Sequence, residues 1–495
     1  MNLAEQLPAL QVVAPLFAAV LCALVRRGQA AWLVALLVSL AMPFIAAAML
    51  IQVWNGGPIS YAMGGWAPPY GIEYRVDLLS GFVLLLVSFT AAVMLPFAHR
   101  SVASEVPEDR QAWFYTVYLL TLTGLLGITI TGDAFNAFVF LEISSLGSYA
   151  MIAMGRNRCA LIASYRYLVL GTVGATFYVI GVALLYLMTG TLNFADMADR
   201  LADVDSIRPL VAALAFLTVG ISLKFALFPL HGWLPDAYAF APSFATAFLA
   251  ATATKAAIYL IVRYFYSIYG FGFAIDIDIE PLAGVLIALS VMAMFAASFV
   301  AIFQDDIKRM LAYSSVAQIG YITLGIGLAN EAGLTGGIVH LFNHALMKGA
   351  LFLAVGAVVY RVGACRFRDF AGLGRAMPLT LAAFVVAGLS LIGVPGTAGF
   401  ISKWYLAVGA LDKGWWWMVL LLVASSLISV VYIGRVVEAA YFREPVAAID
   451  ARAVPLAMLV PVWLFAAANL YFGIDTTWSA QIAGRAAAAL LGGAP

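Results

Sequence analysis

Apolar residues along this chain gather into runs of roughly 18 to 30 residues, long enough for helices that cross a bilayer and too long for barrel strands. Short clusters of glycine, proline and charge separate them. The pattern predicts about fourteen transmembrane helices. They fall near 8–25, 31–54, 78–97, 112–131, 134–155, 163–188, 208–230, 241–268, 281–303, 309–329, 333–361, 379–411, 415–441 and 455–473. The first run follows an acidic stretch, and Arg26 and Arg27 come after it without a small-residue cleavage site, so it is expected to be a retained span. The longest polar connections, 189–207 and 361–378, are too short to hold a folded globular unit. Residues 1–495 are therefore expected to form a single transmembrane domain.

Composition sharpens this reading. The chain is 64% hydrophobic and 10% charged, where an ordinary soluble domain carries roughly 25% charged residues. It cannot cover a globule with polar surface, and the fold class expected is an all-α polytopic membrane protein. Assigning the connections to alternate sides puts Arg26, Arg27, Arg100, Arg110, Arg156, Arg158, Lys308, Arg309, Arg361, Arg366, Arg368, Arg375, Arg443 and Arg452 on one side. Arg75, Arg200, Arg208, Lys413 and Arg485 fall on the other. Positively charged loops stay in the cytoplasm, so both termini are expected on the outer side of the membrane. The formal net charge of +1 gives no sign of a nucleic-acid partner.

Other chemistries find little support. Cys22, Cys159 and Cys365 form no metal or disulfide spacing and are expected to be small buried hydrophobes. The glycine-rich stretches GLGRAM and GVPGTAG lack the spacing and strand–helix setting of a phosphate loop. Three cysteines and four histidines offer no recognisable ligand set for haem, flavin or iron–sulfur clusters, so no cofactor is expected.

Ionisable residues inside apolar helices remain: Glu142, Lys224, Lys255, His340, His344, Lys348 and Lys403. A lysine at mid-membrane costs about 2.5–3.5 kcal/mol on insertion scales, so several in one chain need a compensating purpose. Snorkelling to the interface is the competing reading, strongest for Lys255 and Lys348. Lys224 and Lys403 belong to helices interrupted by Pro229 and Pro395. A broken helix exposes unpaired backbone groups, tolerated only where protein or water satisfies them. Two such discontinuous helices, LKFALFPLHGWLP and LIGVPGTAGFISKW, sit at corresponding places in the two halves, as inverted repeats would have them.

In HLFNHALMKGALFL, His340, His344 and Lys348 recur at i, i+4 and i+8, on one helix face. Each histidine taken alone could be a satisfied structural residue. Metal binding needs a third ligand that the sequence does not offer, so no metal is expected. An imidazole near its usual pKa of about 6.5 exchanges protons at cellular pH, which favours a relay. Glu142 is the carboxylate set deep in a first-half helix, and its charge needs a cation, for which Lys224 is the natural candidate. Asp133 is expected to cap its helix, and Arg435 to pair with Glu438 at i, i+3.

These residues carry a family resemblance. The chain resembles the antiporter-like subunits shared by Mrp-type multisubunit cation/proton antiporters and respiratory complex I, and looks most like the Mrp group's D-type member. The likeness covers nearly the whole chain. It rests on VFLEISSLGSY, KFALFPLHGWLPDAYAFAPS, ATATKAAIYL, QDDIKRMLAYSSVAQIGY, HLFNHALMKGALFL and GVPGTAGFISKW. It implies that Glu142 and Lys224 form a pair, that Lys255, His340, His344 and Lys348 relay protons along the mid-membrane axis, and that Lys403 is the terminal lysine. The implied partners are protons, a monovalent cation, the lipid bilayer and other subunits of the complex. A proton-pumping subunit of a complex I-like quinone oxidoreductase or membrane-bound hydrogenase is the alternative. Lysine at 403 argues against the complex I subunit type that carries glutamate there. The opening GGWAPPYGIEYRVD and a chain that stops soon after its last helix also look like the D-type Mrp member. The buried row is mainly cationic, so a metal cation is expected to cross elsewhere.

Overall fold

The computed structural model describes residues 3–270, 280–444 and 454–492. Helices dominate: α1 Leu7–Val25, α2 Gly28–Gly56, α3 Leu78–Glu105, α4 Gln111–Ile130, α5 Ala134–Ala153, α6 Cys159–Thr189, α7 Phe194–Leu201, α8 Ile207–Phe225, α9 Leu234–Phe240 and α10 Ser243–Val262. There follow α11 Glu280–Ile302, α12 Ile307–Leu328, α13 Glu331–Val362, α14 Leu373–Ala376, α15 Pro378–Ile392, α16 Ala398–Asp412, α17 Trp416–Phe442, α18 Leu456–Ile474 and α19 Thr477–Leu490. Thirteen helices among the described residues are long and apolar enough to cross a membrane. The chain is a polytopic all-α membrane protein. With α15 and α16 counted as one interrupted passage, the total reaches the fourteen expected.

Polar residues at the loop edges start these helices by accepting the free N–H groups of the first turn. Asp77 and Ser80 form a capping box on α3, and Asp133, Asp306 and Asn330 accept from Asn136, Arg309 and Gly333 at 2.7, 2.9 and 2.9 Å. Connections alternate between two ends of the bundle. At one end Gly132 N–H donates to Glu73 O and Ala134 N–H to Leu192 O, both at 2.8 Å. At the other, Arg156 N–H donates to Glu105 O at 3.0 Å and Ile307 N–H to Cys365 O at 2.9 Å. The second end is the arginine-rich one; Arg452 lies outside the described residues.

Depth in the bundle decides where a site can sit. The membrane window of α10 with its continuation, and that of α12, are each 94% buried, whereas those of α2, α17 and α18 are 33% buried. The polar helices are thus walled off from lipid by apolar ones.

Several local expectations change. Between α2 and α3, where the sequence pattern predicts no element, Ile59–Ala62 (β1) pairs antiparallel with Glu73–Val76 (β2). A further helix, α19, follows the last span; it is alanine-rich and too polar for a hydropathy signal. Cys22 is buried, but Cys159 is exposed and Cys365 only half-buried. Glu438 pairs with Arg443 at 2.7 Å, while Arg435 stacks over Phe367 at 4.3 Å; α17 ends at Phe442, and Arg443, just past it in extended backbone, reaches the carboxylate first.

Candidate functional site

The seventh passage, α8, stops at Phe225, where Ala226 takes a left-handed conformation (φ 60°) and its N–H and that of Leu227 close on Ser222 O. The interruption therefore begins before Pro229, which sits in the middle of it. Trp233 folds back to donate from Nε1 to Leu223 O at 2.8 Å and stacks on Tyr167 at 3.7 Å. Protein groups thus take up backbone carbonyls freed where α8 ends, in keeping with a break at membrane depth. Lys224 lies in the last turn of α8, buried, with Nζ donating to Glu142 Oε1 at 3.0 Å and to Ser145 Oγ at 2.8 Å. Glu142 itself is 26% exposed, on the outward edge of α5. His231 and Asp236 belong elsewhere: His231 stacks on Phe228, and Asp236 joins Arg166 and Arg309 at the arginine-rich end.

Beside Lys224 is a cavity of about 20 Å³ lined by Ser144, Ser145, Ser148, Tyr167 and, from α10, Ala253 and Ala257. That is room for one ordered water. Lys255 projects from another face of α10, fully buried, and donates to Ala250 O and to Thr254 Oγ1, the latter at 3.3 Å. It lies close enough to His340, His344 and Lys348 on α13 for their charges to act on one another. None of these residues snorkels.

Along α13 the three side chains share one face, as their spacing requires. Lys348 Nζ donates to Leu311 O at 2.9 Å and to Ser314 Oγ. His344 is fully buried with neither ring nitrogen partnered among the described residues. His340, stacked parallel to it at 6.3 Å, is held by Ser402 Oγ at Nδ1 (2.7 Å) and Gln318 Oε1 at Nε2 (2.9 Å).

The second interruption, 393–397, contains Pro395 as expected. Gly393 has φ +91°, and a Cβ there would stand 2.9 Å from Lys403 Cδ. Lys403 Nζ donates to Leu391 O (3.2 Å), Ile392 O (2.8 Å) and Ser426 Oγ (2.9 Å), and lies 4.5 Å from the Tyr321 ring centre. The free carbonyls ending α15 supply partial negative charge in place of a carboxylate. The two breaks occur five passages apart, so they run in opposite directions, as an inverted arrangement demands.

The structure thus gathers the seven residues into two groups: Glu142 with Lys224, and Lys255 with Lys348, His344, His340 and Lys403. The serine-lined cavity reaches from Lys224 to the Ala253 and Ala257 side of α10, and Lys255 leaves the same helix from another face. Among the described residues no carboxylate comes within 4.0 Å of Lys255, Lys348 or Lys403. No cluster of His, Cys, Asp and Glu among them is placed to hold a metal. Sequence reasoning missed the hydroxyl and amide partners Ser145, Ser314, Gln318, Ser402 and Ser426. Of these, Ser314 and Gln318 could have been found by their i, i+4 spacing on the buried face of α12.

Residues 131–429 match the family described as "NADH:quinone oxidoreductase/Mrp antiporter, TM". The chain is 42% identical over 440 residues to the N subunit of the NADH-quinone oxidoreductase of Desulforudis audaxviator, covering 88% of this chain and 87% of the relative. It is 32% identical over 372 residues to the D-type Na(+)/H(+) antiporter protein of Alkalihalophilus pseudofirmus, covering 74% and 73%. A chain in the structure of the Mrp complex from Dietzia sp. DQ12-45-1b superposes with a TM-score of 0.90 at 28% identity, covering 99% of this chain and 98% of that one. By the extent of these matches, the chain belongs to the transmembrane subunit family common to NADH:quinone oxidoreductases and Mrp antiporters.

Proposed function

We propose that this chain is the proton-carrying subunit of a multisubunit monovalent cation/proton antiporter of the Mrp type, seated in the plasma membrane. Its arginine-rich end faces the cytoplasm and both termini lie outside. Protons move along Glu142, Lys224, Lys255, Lys348, His344, His340 and Lys403. One observation carries this reading: four buried amines and two buried imidazoles are arrayed through the centre of the bundle with a single carboxylate among them. Ammonium ions stripped of water without counter-charge are costly, so each proton placed on the row changes the cost of placing the next. When the Glu142–Lys224 pair is tight, Lys224 keeps its proton; when it loosens, the proton passes through the cavity toward Lys255 and the histidines. A charge change at one member alters the next, which couples the row to ion movement in a partner subunit. The same positive row repels a metal cation, which crosses outside it.

The test is Lys224→Arg in inverted vesicles from cells that make the whole complex, read as pH-gradient dissipation on adding Na⁺, Li⁺ or K⁺. Arginine still pairs with Glu142 but does not give up its proton, so this variant assembles and fails to exchange. Near-normal exchange at equal complex abundance makes Lys224 a fixed structural charge and removes the relay's first member. A second reading, a redox-driven proton pump, is favoured by the 42% identity to a quinone oxidoreductase subunit. Purification in mild detergent separates the two: small hydrophobic antiporter subunits support the first, and iron–sulfur and flavin subunits the second.

A further inference from the structure

Lys255 has two successors on its own face of the helix. Tyr259 and Arg263 follow at i+4 and i+8, where α10 passes into a π-helical stretch, Arg263–Ile268. Both are buried. Arg263 donates from Nε to the Tyr259 hydroxyl at 2.9 Å and forms an ion pair from Nη2 with Asp77. The Tyr259 hydroxyl also lies against Ser80, whose Oγ donates to Asp77 Oδ1 at 3.0 Å. Asp77 is the one member that meets solvent, its side chain 29% exposed at the end of the bundle that carries the hairpin. A helix cap needs only Asp77 and Ser80. It does not need a buried arginine that grips the cap and a tyrosine one turn from Lys255.

We propose that Tyr259, Ser80 and Asp77 form the outlet of the proton row, with Arg263 as the residue that positions them. The proposal rests on the proton-row reading above. Lys255 now bonds back to Ala250 O; rotation of its four-carbon stem swings the amine toward the tyrosine. A proton arriving on the Tyr259 oxygen releases that hydroxyl's own hydrogen to Ser80, and Ser80 releases its hydrogen to Asp77 Oδ1. Only protons move, and the hydroxyls reset by rotating. Burial works against the Asp77 charge, but Arg263 and the Ser80 N–H outweigh it and hold the carboxyl down at about 2. Such a group passes a proton to water at once and does not store it. Arg263 and Tyr259 are the charged and titratable groups that face Asp77 from α10 and its continuation.

The experiment uses the assembled complex in inverted vesicles, with the exchange rate measured against lumenal pH. Tyr259→Phe and Asp77→Asn remove one oxygen or one charge each, and asparagine remains a good helix cap. Both are expected to lower the rate at least about tenfold at equal complex abundance and to change its dependence on lumenal pH. Asp133→Asn, at another helix start on the same end, keeps the wild-type rate and profile. If Lys255→Ala abolishes exchange while Tyr259→Phe and Asp77→Asn match wild type, the outlet is wrong and the row stands. Losses that merely follow complex abundance, with an unchanged pH profile, also overturn the outlet. Normal exchange in Lys255→Ala overturns the row itself.

Discussion

Ala257→Val tests whether the two groups of the row communicate through the cavity beside Lys224. Ala257 lines that space with Ser144, Ser145 and Ser148, and the volume of about 20 Å³ has room for one water. Valine adds two methyl groups where only that much is free. They fill the space that a water would take and press on the serines, and such overpacking costs about 1–3 kcal/mol. The added methyls stand beside Lys224 and its partner Ser145, which line the same space, but they remove no hydrogen-bonding group and leave the bonds of Lys255 and Lys348 untouched. The complex should therefore assemble, lose a few degrees of thermal stability, and exchange protons at least about tenfold more slowly, since a break in a relay is felt by every proton. Ala257→Ser is the companion, because a hydroxyl in the same place can replace the water's hydrogen bonds and should keep most of the activity. The assay is pH-gradient dissipation in inverted vesicles at matched complex abundance. Wild-type exchange in the valine variant would refute the idea that protons pass this cavity.

Three further outcomes can be checked. His344→Leu removes two ring nitrogens that have no partner among the described residues, so the protein should gain about 1–2 kcal/mol in thermal denaturation while exchange is lost, and a fall in stability would show that the ring is satisfied. Gly393→Ala puts a methyl group against Lys403 in a left-handed backbone position, which should cost about 1–3 kcal/mol, detach the amine from Leu391 and Ile392 and slow exchange; an unchanged rate would count against Lys403. Epitope tags at either terminus should be reached from outside intact cells and one within 363–377 should not; a cytoplasmic amino terminus would overturn the orientation.

What the sequence made legible follows the cost of polarity in lipid. Lys224, Lys255 and Lys348 stand out because a charge in an apolar run is expensive, and the pairing of Lys224 with Glu142 follows because Glu142 is the carboxylate at depth. Their hydroxyl partners do not stand out. A serine or threonine in a membrane helix satisfies itself on its own backbone, as Thr123 does on Leu119 O and Ser148 on Ser144 O, so Ser145 beside Lys224 reads like any other. The first break was legible as a break but not in its position. Proline draws attention to 229, yet the helix ends at Ala226, and nothing in an alanine announces a left-handed residue. The hairpin strands of four residues each are too short for a periodic signal, and α19 too polar for a hydropathy one.

The counter-charges along the row are graded, and the grading assigns the members different work. At Lys224 a full carboxylate faces the amine at 3.0 Å. At Lys403 the negative charge is partial, spread over two carbonyls ending α15, a serine hydroxyl and the face of Tyr321. Lys348 has one carbonyl and one hydroxyl, and His344, near the middle, has no partner among the described residues. On the proposed proton row, a proton is held longest where compensation is strongest, which would make the two broken helices its resting places and α13 its passage. The breaks make this arrangement possible, because an unbroken helix would turn the α15 carbonyls inward onto its own N–H groups and leave Lys403 with the Ser426 hydroxyl and the face of Tyr321 alone. The prolines and Gly393 therefore belong to the electrostatics of the site as much as to its shape.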